Sequence, residues 1–189
     1  MDKQDYVVLV NEKNEPIGTS EKLVMHNSDT PLHKGFSVFL FNENSKLLLQ
    51  QRSKKKKTWP LVWSNSVCGH PMLNETAINA AKRRLQFELG ITNAQLSVML
   101  PNYRYRFDKD GIVENEFCPV MVGFTDQEPT INPEEVEAVK WIAWSEWLNE
   151  IVNNPQRYSE WSVEETMLLN KNKQFHRFLQ EATRKLASK

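Results

Sequence analysis

The chain is poor in cysteine, carries no surplus of charge of either sign, and lacks any long apolar run. Its two cysteines in 189 residues, Cys68 and Cys118, exclude a disulfide scaffold. With no secretory leader, both are expected as free thiols in a reducing compartment. Lys and Arg total 24 and Asp and Glu total 24, so no basic face invites nucleic acid or an anionic membrane, and neither partner is expected. A charged ligand must then be met by local groups. The apolar residues Val7 to Val10 follow a charged start, Met1 to Asp5. They are far too few for a signal core or a membrane span, so the expected location is cytoplasmic.

No internal repeat, low-complexity block or long linker interrupts the sequence, and apolar residues make up 40% of it. One compact domain is expected, residues 1–189, monomeric by default, with a core over about 6–160 and a helical segment over about 161–186. Tyr6 to Val10 and the turn-rich Asn11 to Gly18 predict an opening hairpin. Thr19 to Lys34 has weak periodicity and reads as a loop with one helical turn. Phe36 to Phe41 and Lys46 to Arg52 predict an antiparallel pair, followed by an exposed basic loop, Ser53 to Lys57. Helical spacing of Ile78, Ala81, Leu85 and Leu89 predicts a helix from about Glu75, capped by Asn74 and stopped by Gly90. Two long strands, Leu96 to Phe107 and Ile112 to Phe124, are expected around the turn Asp108 to Gly111. A strand near Val139 to Trp144, a helix capped by Ser145, and a stripe of Phe175, Phe178, Leu179, Ala182 and Leu186 complete the pattern. The fold class is α/β (α+β), a mixed β-sheet flanked by helices.

Chemistry concentrates at Cys68-Gly69-His70, a thiol two residues from an imidazole. Glu114 and Glu116, two apart in an expected strand, leave on the same face, and two carboxylates forced together want a cation between them. His26, His33 and His70 are the candidate partners, giving nitrogen and oxygen donors suited to Zn²⁺, Mn²⁺ or Mg²⁺. Taken singly, each histidine reads as a capped or exposed loop residue rather than a ligand, and His176 reads as structural. Arg84 and Glu88 share a helix face, either as an i, i+4 ion pair or with Arg84 on a phosphate and Glu88 on its Mg²⁺.

Gly69, Glu75 and Arg83-Arg84-Leu85-Gln86-Phe87-Glu88-Leu89-Gly90-Ile91 resemble the Nudix box, with Arg84 and Phe87 where that pattern has metal-binding glutamates. Asn65 to Pro71, Tyr103 to Arg106, Glu114 to Pro119, His33 to Ser37 and Gln50 to Ser53 together resemble the type I isopentenyl-diphosphate isomerases of the Nudix superfamily. The resemblance runs from Lys22 to about Trp161 and implies a Nudix-like fold and conversion of isopentenyl diphosphate to dimethylallyl diphosphate. It implies Cys68 and Glu116 as the proton-handling groups, Tyr105 hydrogen-bonded within the site, and the π face of Trp161 turned to a carbocation. It further implies a metal site of His26, His33, His70, Glu114 and Glu116. Lys22, Arg52, Lys56 and Arg84 would hold the diphosphate, with Glu88 on a second Mg²⁺ shared with it. Members of the family usually carry proline before the tryptophan; Glu160 stands there, so the loop holding Trp161 is expected to be held differently. The competing expectations are a Nudix pyrophosphohydrolase and a non-catalytic diphosphate-binding module.

Overall fold

The structure is a computed structural model that describes residues 6–187. The charged start, residues 1–5, and the side chains of Ala182 and Leu186 lie outside the described residues. At the centre is β4 (Phe36–Phe41), buried at every position. Alternation along a strand explains this: Phe36, Val38 and Leu40 serve one apolar cluster, while Phe39 and Phe41 serve another on the opposite face. β4 lies between β5 (Lys46–Arg52) and the parallel β11 (Val120–Phe124) in a sheet flanked by β12 (Val136–Ala143) and β8 (Gln95–Leu100). One face carries α2 (Ala77–Leu89) through Ala80, Ala81, Leu85 and Leu89. The other packs against aromatics of α3 (Trp144–Asn153), α4 (Glu160–Leu169) and α5 (Lys173–Ala187), among them Trp147, Trp161 and Phe175.

β4 and β5 pair at Phe41 and Leu47, beside their turn, and then part. Into the gap come β6 (Trp63–Ser64), paired with β5, and β7 (Val67–Gly69), paired with β4. Parting leaves backbone groups without ladder partners, and buried polar side chains take them up. Ser66 Oγ accepts from the Leu40 N–H and donates to the Leu48 carbonyl, each at 2.7 Å. Asn65 Nδ2 donates to the carbonyls of Val38 and Val67, each at 3.1 Å. Cys68 is thereby delivered opposite Ser37 of β4.

The second sheet is ordered β2-β1-β3-β10-β9, from β1 (Tyr6–Val10), β2 (Pro16–Glu21), β3 (His33–Lys34), β9 (Arg104–Lys109) and β10 (Ile112–Phe117). Its register sets His33, Glu116 and Tyr105 in one row across three strands. The antiparallel β4–β5 pair and the opening hairpin are as expected, although β2 occupies residues read as turn and loop. Being largely exposed, β2 shows no apolar alternation. α1 (Lys22–Met25) is the expected helical turn.

Each expected long strand is in fact two, broken between β8 and β9 at Pro101 and between β10 and β11 at Pro119, and each half joins a different sheet. Proline lacks the N–H a continuous ladder needs. Two caps also differ from expectation. Asn74 adopts a left-handed φ of 66° and Glu75 turns back onto the Met72 N–H at 2.8 Å, so Thr76 caps α2, accepting from Asn79 N–H at 3.2 Å. α3 begins at Trp144, which leaves Ser145 inside its first turn and exposed. Both cysteines are free, and among the described residues no helix is long and apolar enough to cross a membrane.

The caps are open to test by chemical denaturation. Thr76→Ala is expected to cost about 1 kcal/mol, the usual value of an N-cap oxygen. Ser145→Ala should stay within about 0.5 kcal/mol, as exposed substitutions do. Equal losses would contradict the assignment.

Candidate active site

Four elements converge on one buried point. His26 ends α1, His33 lies on β3, His70 follows β7, and Glu114 and Glu116 project from β10. Donor atoms of His26, His33, His70 and Glu114 all lie within 4.8 Å of one another. Glu116 Oε1 is 2.9 Å from His70 Nε2 and 3.5 Å from His33 Nε2.

Hydrogen bonding orients the rings. His26 Nδ1 faces the Lys22 carbonyl at 2.7 Å, and His33 Nδ1 faces that of Pro31 at 2.9 Å. A carbonyl only accepts, so each Nδ1 carries the proton and each Nε2 turns inward, as in imidazole ligands of metals. His33 Nε2 is buried without a hydrogen-bond partner, and His26 Nε2 lies 3.1 Å from Glu114 Oε2. Burial works against charge here, yet the imidazoles around Glu116 hold it well below the usual carboxylate range, and Glu114, bonded to His26, is lowered as well. Burial pushes His70 down to about 4, so it is neutral near pH 7. His26 differs: burial opposes its charge, but its bond to Glu114 raises it. Ionised carboxylates facing inward nitrogen lone pairs form a donor set that fits a divalent cation.

Beside this cluster opens a cleft of about 310 Å³, lined by every expected site residue except His33 and Glu88. Its cationic end holds Lys22, Arg52, Lys56 and Arg84. Burial, with Lys56 and Arg84 nearby, pushes Lys22 down to about 8. Arg52 donates to the carbonyls of Thr58 and Trp59 at 2.8 and 3.1 Å and stands 5.7 Å over the Trp161 ring. Arg84 donates to Glu88 at 2.7 Å, so that pair is a buried one, with Glu88 only 1% exposed and its other oxygen held by Gln50 at 3.3 Å.

Next to Arg52, Trp161 stacks on Tyr105, ring centroids 5.9 Å apart and planes 19° apart. Register places Tyr105 beside Glu116, but among the described residues no hydrogen bond joins the two side chains. Burial and Glu116 keep the Tyr105 phenol neutral by raising it well above its ordinary value. Cys68 Sγ donates to Asn65 Oδ1 at 3.0 Å. Burial, against a smaller opposing effect of Arg52, pushes the thiol up to about 12, so it keeps its proton.

Several contributors carried no sequence signal of their own. Glu135 accepts from Arg84 at 2.8 Å and meets Lys56 with the same oxygen, placing a carboxylate among the cleft's cations. Behind Cys68 lie Ser37, 3.7 Å away, then Cys118 and the fully buried Glu165. Burial raises Glu165 well above the ordinary value, so it is a neutral acid. Its one visible hint is polar spacing: Ser162, Glu165 and Thr166 form a buried stripe on α4 where apolar residues are usual. Asn65 stood within the quoted motif without a role.

The NUDIX domain family matches residues 31–162 of the chain. An isopentenyl-diphosphate Delta-isomerase of Saccharopolyspora erythraea is 45% identical over 158 residues, covering 83% of this chain and 81% of that protein. One from an Enterobacter species is 42% identical over 166 residues, covering 87% of this chain and 91% of its own. Among solved structures, a protein of Deinococcus radiodurans aligns with a TM-score of 0.62 at 21% identity, over 79% of this chain and 90% of that one. That last likeness concerns the fold alone.

At position 35 an added Cβ would overlap the Glu116 carboxylate where it now stands. Gly35→Ala is therefore expected to displace the carboxylate and weaken Mn²⁺ or Zn²⁺ binding, measured by calorimetry, by about tenfold or more, the usual cost of disturbing a metal's surroundings. Unchanged metal affinity would rule out Glu116 as a ligand.

Proposed function

The chain belongs to the NUDIX domain family and, within it, to the isopentenyl-diphosphate Delta-isomerases, and on that footing we propose that its cleft interconverts isopentenyl and dimethylallyl diphosphate. The observation that carries this reading is that one cleft holds Cys68 and Glu116, a cationic end and an aromatic wall. Isomerisation adds a proton to the terminal methylene carbon, which leaves a tertiary carbocation-like state. A proton then leaves the carbon nearer the diphosphate and the double bond re-forms there, so protons balance. The reaction needs two proton-handling groups that carry one proton between them. A neutral thiol at Cys68 and an ionised Glu116 meet that condition.

The remaining residues bind, orient and exclude water. Lys22, Arg52, Lys56 and Arg84 hold the diphosphate, guanidinium forks suiting phosphate oxygens in particular. Trp161 turns its π face to the developing cation, worth roughly 2 kcal/mol when desolvated. Tyr105 backs the indole and keeps water from the cation. His26, His33, His70, Glu114 and Glu116 would hold Mg²⁺, Mn²⁺ or Zn²⁺, whose charge keeps Glu116 ionised and oriented. Glu88 is the candidate ligand for the Mg²⁺ that accompanies the diphosphate, by exchange of its bonds to Arg84 and Gln50. Hydrolysis of a diphosphate is disfavoured because Arg84 and Phe87 stand on α2 where a carboxylate cluster would gather metal.

Proton NMR of isopentenyl diphosphate in deuterated buffer is the direct test. Deuterium should enter the new methyl group of dimethylallyl diphosphate. Cys68→Ala and Glu116→Gln should each lose at least about a thousandfold in kcat, since each removes a proton-transfer group. Full turnover in either variant, or phosphate release in place of isomerisation, overturns the reading.

The cationic end makes a separate prediction about pH. Only charged Lys22 attracts diphosphate, so its contribution is complete below pH about 8 and fades as pH rises through that value. The Kd of pyrophosphate is expected to rise above that pH, and Lys22→Arg should remove the inflection. A flat profile in the parent protein would show that Lys22 does not bind the anion.

A further inference from the structure

Trp161 has no strong polar anchor. Its buried indole Nε1 faces the Cys68 thiol and no oxygen acceptor, so the ring is placed chiefly by what packs against it, the Arg52 guanidinium 5.7 Å over it included. On one face lies Tyr105; against its edge lies Trp59, centroids 5.3 Å apart and planes 70° apart. Trp59 is itself an unusual support. It is 3% exposed and its φ is +47°, in the left-handed region that bulky residues avoid. Leu61, two residues on, has φ +61°. Backbone of this kind persists only where its surroundings over-determine it.

Two contacts supply that determination. Arg52 donates to the Trp59 carbonyl at 3.1 Å. On the other side, Trp59 Nε1 donates to Glu160 Oε2 at 2.6 Å. Glu160 opens α4 and immediately precedes Trp161. Its carboxylate is favoured there by the helix N-terminus, which limits its freedom to leave. The result is a closed loop of contacts: Glu160 to the Trp59 indole, Trp59 to the Trp161 ring, and Trp161 back along the chain to Glu160.

We infer that Glu160 is a positioning residue for the isomerisation, its carboxylate holding Trp59 so that Trp59 braces the Trp161 ring against the reacting carbon chain. The inference rests on the role given to Trp161 above. Glu160 acts through the two indoles and does not touch the substrate. Its contribution is to the transition state, where the ring must face a cation; Arg52, which borders both tryptophans, is held by the Thr58 and Trp59 carbonyls and not by Glu160, so diphosphate affinity is not what Glu160 sets.

The test is a kinetic cycle on the full-length metal-loaded protein with isopentenyl diphosphate, joined by near-ultraviolet circular dichroism of the tryptophans. Glu160→Ala should lower kcat about tenfold, the size of a weakened cation–π contact, and leave KM within about twofold. Glu160→Gln keeps an acceptor for Trp59 Nε1 and should keep kcat within about twofold of the parent. Trp59→Phe should lose as much as Glu160→Ala, and the double variant no more than the larger single loss. The aromatic dichroism should change in Glu160→Ala and not in Glu160→Gln. Parental kcat in Glu160→Ala, independent additive losses, or a loss confined to KM would each overturn the inference. If Glu160→Ala does not fold, comparison of Trp59→Phe with Glu160→Gln decides, and parental kcat in Trp59→Phe overturns it. Trp161→Leu separates the two levels: if it turns over normally, the role of the indole fails. If it is impaired while Glu160→Ala is not, only the positioning role fails.

Discussion

Glu116 lies so close to the backbone at Gly35 that no side chain fits between them. This follows from the parallel pairing of β3 with β10, in which the Gly35 N–H donates to the Phe117 carbonyl at 2.9 Å. The same register aligns His33 with Glu116, and pairing on the other side of β10 brings Tyr105 alongside. A slip of one residue would turn Glu114 and Glu116 to the opposite face and present Val113, Asn115 and Phe117 in their place. The metal cluster and the phenol beside it thus depend on one strand alignment, within which the Glu116 carboxylate fills the space that a Cβ at position 35 would take.

Charge is separated within the cleft. At one end two carboxylates and three imidazoles are nearly or fully buried, a set that is costly without a cation. At the other end Lys22, Arg52, Lys56 and Arg84 would repel one another if left alone. Internal anions offset part of that repulsion, Glu88 and Glu135 both meeting Arg84. A net positive end remains for a diphosphate, while the chain's total charge is zero. Between the two ends stand Cys68, Tyr105 and Trp161, groups that are neutral in the resting site. A transient cation formed there meets π electrons and sulfur in place of water.

Most strands and the alignment of the Glu114-x-Glu116 pair were legible in the sequence because alternation and turn residues are local signals. The prolines at 101 and 119 were equally visible, yet their consequence was not: that each breaks a strand and sends it into a second sheet depends on partners far along the chain. The histidines had no helical spacing to link them, and they gather only through the fold. Cys68 stood out as a thiol near an imidazole, but Ser37 on β4, Asn65 between β6 and β7, and Glu165 on α4 meet it only in the fold. Trp59 was hidden in a loop whose left-handed backbone no glycine announced. Glu160 was visible as a departure from proline, but Trp161 stands on α4 and not on the expected loop, and the bond of Glu160 to Trp59 joins residues far apart in the chain.

Arg84 shows how little separates this cleft from a hydrolytic one. Its guanidinium stands between Glu88, at 2.6 Å, and Glu135, at 2.8 Å. A glutamate at position 84 would put a third carboxylate beside those two and make a group that only divalent metal could neutralise. Arginine reverses the sign of the same helix face. The two carboxylates then serve to hold the guanidinium in place, and the cation points into the cleft as a fixed group that needs no metal to carry positive charge. The cluster of imidazoles and carboxylates is left as the set that fits a divalent cation, and its Glu116 also lines the cleft. Arg84 and Phe87 together therefore change what the helix can offer a diphosphate, from a carboxylate cluster that gathers metal to a fixed cation.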